Sequence, residues 1–269
     1  MIIRPSPAWA PLHLREVWRY RELLLFLVWR DIKVRYKQTA LGAAWAVIQP
    51  LFAMIVFTVF FGRLANVPSD GIPYPLFSYV ALLPWQLFAN ALIQSSNSVV
   101  AGERLITKVY FPRLVIPLAS ILSAVVDFAI AFVIAIGMMA WYQVTLTWAV
   151  VTLPLFFFLT LLTALAAGLW LAAMNVEYRD VRYTLNFLVQ LWLFASPVAY
   201  SSSLVPERWR PLYGLNPMAG VIEGFRWALL GRTSAPGAML AVSTAITALI
   251  LLGGLYYYRR MERTFADVV

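Results

Sequence analysis

The chain has 269 residues, of which 62% are hydrophobic and only 12% charged, with a mean hydropathy of +0.77 and a net charge of +9. A soluble domain carries roughly a quarter of its residues as charges, so a water-soluble globule and a disordered tail are both excluded. Without cysteine there are no disulfides, thiolate metal sites or cysteine nucleophiles, and the single histidine, His13, in a polar N-terminus, points to no metal or catalytic centre.

The first 22 residues are basic and broken by Pro5, Pro7 and Pro11, and the apolar run Leu23–Trp29 is short and followed by Arg30. No cleavable signal peptide is expected from this pattern. Over 12–37, Leu25, Val28, Ile32 and Tyr36 recur at helical spacing, with Arg30, Lys33 and Lys37 on another face. A basic amphipathic helix of this kind lies at a membrane surface. Residues 1–40 are therefore expected to form a cytoplasmic interface-helix region that also meets a cytoplasmic partner, with Arg30, Asp31, Lys33 and Arg35 as its charged positions.

Further on, 38–62, 71–102, 128–176, 183–206 and 233–258 contain no Asp, Glu, Lys or Arg. A hydrocarbon core about 30 Å thick needs about 20 apolar helical residues. The runs are continuously apolar, whereas barrel strands alternate, so the fold class is an all-α membrane protein. Six spans are expected, near 41–61, 76–98, 114–140, 148–174, 184–200 and 238–258, which make 41–258 the membrane domain and 259–269 a cytoplasmic tail. The polar residues Gln143, Thr145 and Thr147 divide the third span from the fourth. With six spans, 16 of the 21 Lys and Arg fall on the side of both termini. The positive-inside rule then places both termini in the cytoplasm. The surplus charge is read as lipid-facing, and no nucleic-acid partner is expected.

Residues 201–232, before the last span, read as an external re-entrant segment. Asn216 suits a helix N-cap, Pro217 the first helical position and Gly231 the stop. A helix of about 14 residues reaches only ~21 Å, too short to cross. It carries Glu223 and Arg226, which at that depth are tolerated only against protein or water.

The chain lacks a phosphate-binding loop, a dinucleotide fingerprint, a zinc-protease motif and a nucleophile elbow. No catalytic residue and no metal ligand is assigned. Asp127 is the one acid inside a span; it reads as a structural acid, or as the centre of a proton-coupled carrier. A membrane transferase is weaker, because catalytic groups are lacking. Ala164, Gly168 and Ala172 form a small-residue face for close helix contact. In the first and fifth spans, Phe57, Phe61, Asn186, Gln190, Trp192 and Phe194 are candidate channel-lining residues. Aromatic faces stack on sugar rings, although an interfacial belt would carry the same residue types.

At 95–114 the sequence Ser-Ser-Asn-Ser, then Gly-Glu-Arg-Leu-Ile-Thr-Lys-Val-Tyr-Phe-Pro-Arg-Leu from Gly102, resembles the permeases of bacterial polysaccharide ABC exporters of the O-antigen, teichoic acid or capsule type. The resemblance extends to Arg30–Lys37, Gln49-Pro50-Leu51, Val125–Phe128, Asn175–Tyr183, Ala195–Val198 and Leu215–Met218, in the same order. It implies a type-2 ABC exporter in the bacterial inner membrane: a homodimer of this chain with two separate ATPase subunits that bind ATP and Mg, moving a lipid-linked polysaccharide, O-antigen-like first. The resemblance also implies that the loop 99–113 carries a coupling helix, with Gly102, Glu103, Arg104, Leu105 and Lys108 at the ATPase, and that spans one and five line the channel. The alternative is an ATP-independent proton-coupled flippase using Asp127.

Overall fold

In hydrocarbon a backbone must satisfy its own hydrogen bonds, and helices are the local way to do so. A computed structural model describes residues 14–37, 44–178, 180–231, 235–262 and 265, and among them there is no strand. His13 and the rest of 1–13, the expected span start at 41–43, Arg179, Arg232, and Arg263 with most of the tail lie outside the described residues.

Helices α1 (Leu14–Arg19) and α2 (Arg21–Lys37) lead into α3 (Ala44–Phe57), which widens into a π-type segment, Thr58–Leu64. Then come α4 (Tyr74–Ala101), the short α5 (Glu103–Lys108) and α6 (Val115–Trp141). A 3-10 turn, Trp148–Thr152, opens α7 (Leu153–Glu177), followed by α8 (Val181–Ala195), α9 (Arg210–Tyr213), α10 (Pro217–Leu230) and α11 (Gly237–Met261). Five stretches, Ala44–Leu64, Tyr74–Ala101, Val115–Trp141, Trp148–Glu177 and Gly237–Met261, are long and apolar enough to cross a membrane. They coincide within a few residues with expected spans one to four and six, and the chain is a multi-pass helical membrane protein.

The expected fifth span, 184–200, takes a different form. Helix α8 has 15 residues, about 22 Å of helix, and it stops before Ser196-Pro197. A residue preceding proline is driven to extended backbone, and Ser196 has φ −102° and ψ 151°. Pro197 therefore ends the helix that carries Asn186 and Gln190, where a span running on to 200 was expected. From Ser196 to Ala199 the chain runs on as a buried, non-helical segment.

Helix α4 is the central post, with 19 of its 28 residues buried. By contrast, only Pro50 and Phe57 are buried in α3. The small-residue face of α7 does what its spacing predicts: Ala164, Gly168 and Ala172 are all buried, and a Cβ on Gly168 would stand 2.6 Å from Ser95 Oγ of α4. Close backbone approach is the main source of helix adhesion where lipid is as apolar as the side chains.

Connecting segments gather at the two ends of the bundle. At one end, Leu27 of α2, Ile106 of α5, Val115 and Ile116 of α6, Val176 of α7, and Tyr258 of α11 share one apolar cluster with Phe265. Tyr258 donates to the Arg113 carbonyl at 3.1 Å, and Glu262 accepts from the Arg113 backbone N–H at 3.2 Å. At the other end, Asp70 accepts from Ser201 and Ser203, and Gly231 packs on Thr147.

Gly168→Leu should force α4 and α7 apart, at a cost of about 1–3 kcal/mol for overpacking. Thermal unfolding of the purified protein should show a lowered midpoint, while Leu252→Ala, at a side chain 63% exposed on α11, leaves it in place. An unchanged midpoint for Gly168→Leu would contradict the close contact.

Candidate functional site

Three polar constructions stand out from the apolar bundle. The first joins α2 to α6. Leu27 lies in the cluster at the start of α6, and eight residues on, Arg35 pairs with Asp127, so α2 climbs alongside α6. The Arg35 guanidinium also donates to Gln94 and, at 3.1 Å, to Ser123, and the Tyr36 hydroxyl donates to the second oxygen of Asp127. Burial, helped by the Asp127 carboxylate, pushes the Tyr36 phenol up to about 12, so at neutral pH it remains a donor. Asp127 therefore has the cation that a search of the spans alone does not supply. Arg35 comes from the segment expected to lie at the surface, and Tyr36 belongs to the inward face, Leu27, Val28, Asp31, Ile32, Arg35 and Tyr36. The opposite face is not purely basic: Leu25, Phe26, Trp29 and Val34 are exposed beside Arg30, Lys33 and Lys37. Arg30 pairs with Asp31 at 2.8 Å, and Lys33 Nζ stands 4.2 Å from the Trp29 ring.

The second construction ties α8 to α10. Asn216 caps α10, its side-chain oxygen accepting from Met218 N at 3.1 Å, and Gly231 closes the helix in the left-handed conformation at φ 63°. The same Asn216 oxygen accepts from Trp192 Nε1 at 2.9 Å. Its amide nitrogen donates to the Ala195 carbonyl at 3.2 Å and to Ser196 Oγ at 2.9 Å. One side chain thus uses both donors and both lone pairs, serving the end of α8 and the start of α10 together. The cap is legible from Asn-Pro; its second role needs α8 in place.

The third construction is an ion pair inside the bundle. All of α10 except Trp227 is buried. Arg226 is 0% exposed, and its Nη1 lies 2.9 Å from Glu223 Oε1. Two backbone carbonyls are bound as well, Tyr200 O by Nη1 at 3.2 Å and Val198 O by Nη2 at 2.8 Å, while Glu223 accepts from Ser202 N at 3.2 Å; Nε is buried without a hydrogen-bond partner among the described residues. The guanidinium lies over Phe77 of α4 at 3.6 Å. Tyr74 adds a bond to the Ala199 carbonyl at 2.5 Å. The non-helical stretch 198–201 and the first N–H of the 3-10 turn after it are held by these side chains, so the irregular backbone is answered within the protein.

The other expected site residues are placed as follows. Helix α5 follows Gly102 directly; Glu103, Arg104 and Lys108 are exposed, Leu105 is half-buried and Ile106 anchors the helix in the cluster. Phe57 is buried and edge-on to half-buried Phe61 at 5.5 Å. Asn186, Gln190 and Phe194 are exposed on α8. Trp192 is half-buried, edge-on to Phe88 at 5.0 Å.

The Arg35–Asp127 contact should appear as coupling. Arg35→Met and Asp127→Leu should each destabilise, and the double variant should be less impaired than the sum, by about 0.5–3 kcal/mol. Additive losses in chemical or thermal unfolding would deny the contact. Arg226→Met, which leaves Glu223 buried without its cation, should cost more, about 3–5 kcal/mol. Adding Glu223→Gln should recover part of the loss, as read by the unfolding midpoint and the yield of monodisperse protein.

Comparison with known proteins fits this architecture. Residues 22–230 match the family model described as ABC-2 type transporter. The chain is 31% identical over 262 residues to a Myxococcus xanthus protein named O-antigen export system permease protein RfbA, covering 95% of this chain and 98% of that one. A Klebsiella pneumoniae protein of the same name is 27% identical over 92% of this chain and 95% of its own. The Escherichia coli polysialic acid transport protein KpsM is 24% identical, with 92% and 95% covered. A match from the inward face of α2 to the end of α10 takes in all three polar constructions, and the chain belongs to the ABC-2 type transporter family.

Proposed function

We propose that this chain is the permease subunit of an ATP-driven exporter that carries a polysaccharide, O-antigen-like first, across the bacterial inner membrane. The observation that carries the proposal is the end-to-end likeness to an O-antigen export permease, 95% of this chain against 98% of the relative. Two copies would form the pathway with two separate ATPase subunits, which supply ATP and Mg chemistry; the cargo would be lipid-linked.

Geometry supports the finer parts of this proposal. The chain enters α8 from the end where α7 closes and reaches Ala199 beside Tyr74, at the opposite end. A crossing made of 15 helical residues plus the buried non-helical segment 196–199 would bring the total to six, with both termini cytoplasmic. Helix α10 begins at Asn216 and ends against Thr147 at the α6–α7 connection, which suits a segment that re-enters without crossing. Exposed Asn186, Gln190 and Phe194 on α8 would face the second copy or the glycan, with Phe57, Phe61 and Trp192 behind them. Exposed Glu103, Arg104 and Lys108 form the surface for the ATPase, and α2, tied to Asp127, would carry ATPase movement into α6. The flippase alternative rests on Asp127, whose two oxygens are taken by Arg35 and Tyr36.

The purified chain alone should not hydrolyse ATP; hydrolysis and export should appear when its ATPase subunit is added. Glu103→Arg should weaken assembly or separate hydrolysis from export, because a reversed charge at a polar interface is repelled. Cysteine pairs between 102–110 and the ATPase should cross-link. Turnover by the rigorously purified chain alone, or full export with no cross-link anywhere in 102–110, would count against this assignment.

A further inference from the structure

Beside the Arg35–Asp127 junction lies a cavity of about 230 Å³ between α2, α3, α4 and α6. Its α4 wall carries Gln86, Asn90 and Gln94, each one helical turn from the next. Gln49 of α3 adds a fourth amide. Gln94 is engaged by Arg35 and Ser123, whereas Gln49, Gln86 and Asn90 make no side-chain hydrogen bond to protein among the described residues. Amides in a membrane domain are tolerated when something polar answers them, and this wall offers three side-chain amides to a polar ligand.

The wall chemistry narrows that ligand. Arg35 is neutralised by Asp127, so no uncompensated cation faces the space, and a phosphate would lack the charge partner it needs. Side-chain amides present donors and acceptors together, the pattern that matches neighbouring hydroxyls. Trp45, 54% exposed at the cavity's edge, and Tyr36 add aromatic surface. The volume is below the roughly 300–1,000 Å³ of pockets for drug-sized ligands, which limits the occupant to one ring. We propose that this cavity is a binding site for a single uncharged sugar ring, a unit of the exported glycan held outside the α3–α8 pathway surface. This rests on the polysaccharide substrate class argued above.

The test uses the full chain in lipid nanodiscs prepared without glycoside detergents, because such detergents carry the ring in question. Saturation-transfer NMR is recorded with methyl α-D-mannopyranoside, methyl β-D-glucopyranoside and methyl α-L-rhamnopyranoside as free rings, and with octyl β-D-glucopyranoside below its micellar concentration as a lipid-borne ring. At least one methyl glycoside should receive saturation from the wild type. The signal should fall at least fivefold in Gln86→Leu/Asn90→Leu and in Gln49→Leu, the last at an exposed position where folding is not at stake. Leu252→Ala should keep the signal, and inorganic pyrophosphate should not displace the glycoside. Transfer from octyl glucoside alone would mean a lipid-borne ligand and would overturn the sugar-ring site as stated. Displacement by pyrophosphate, equal transfer in all variants, or no transfer from any methyl glycoside would overturn it too, leaving a water pocket or an anion site. Export by the wild-type chain with its ATPase is measured alongside: export without glycoside binding rejects only this site, whereas loss of polysaccharide export rejects the function on which it rests.

Discussion

A polar group held away from water must be answered by another protein group, and in hydrocarbon no solvent relieves a mistake. That constraint organises the end of the bundle where α8 stops and α10 begins. Arg226 is wholly buried, yet its charge is met by Glu223, two donor positions by the carbonyls of Val198 and Tyr200, and its face by Phe77. Remove the arginine and the carbonyls of Val198 and Tyr200 lose their donors, next to the place where Pro197 forbids helix. Helix α10 and the irregular end of α8 are thus conditions for each other, and Asn216 binds the same two elements a few residues away.

The junction of α2 with α6 uses the same logic with a different source of charge. Asp127 is met from outside the long spans, by Arg35 and Tyr36 on α2. A helix that only floats at the membrane surface has no leverage on a bundle. One that is pinned to the middle of α6 by an ion pair, and at its own start by Leu27 in the cluster with Ile106 of α5, is mechanically part of it. Movement imposed on α5 or α2 by a partner subunit would therefore reach α6 through packed side chains. The amide-lined cavity opens beside that same junction, so a sugar held there would sit next to the joint most directly exposed to such movement.

Packing supplies the frame on which these polar devices are hung. Helix α4 is buried along most of its length and receives α7 through Gly168 and α10 through Phe77. Helices α3 and α8 are left with large exposed faces, among them Phe52, Phe60, Phe187 and Phe194. Rigid centre and exposed flank leave room for the second copy proposed above.

Much of this was legible in the sequence because the signals are local. Charge-free length marked five spans, Asn-Pro and a distant glycine marked both ends of α10, small residues at four-residue spacing marked the α7 face, and the ordered motifs marked the family. Each depends only on residues within a few turns of one another. What sequence left undecided depends on pairs far apart in the chain. Arg35 and Asp127 are separated by 92 positions, so a basic residue on a surface-like helix gave no sign that it was the partner of an intramembrane acid. The stripe Gln86, Asn90 and Gln94 was there to be counted, but only the opposing walls of α3 and α6 turn three amides into a cavity. A span was expected to run through Pro197 to 200; the helix stops at Ala195, and Tyr74, Glu223 and Arg226 hold the non-helical segment that follows. Local periodicity settles which segments are helices and how long they are; which buried polar groups find one another is a property of the assembled bundle, since each partner is chosen by packing and not by spacing.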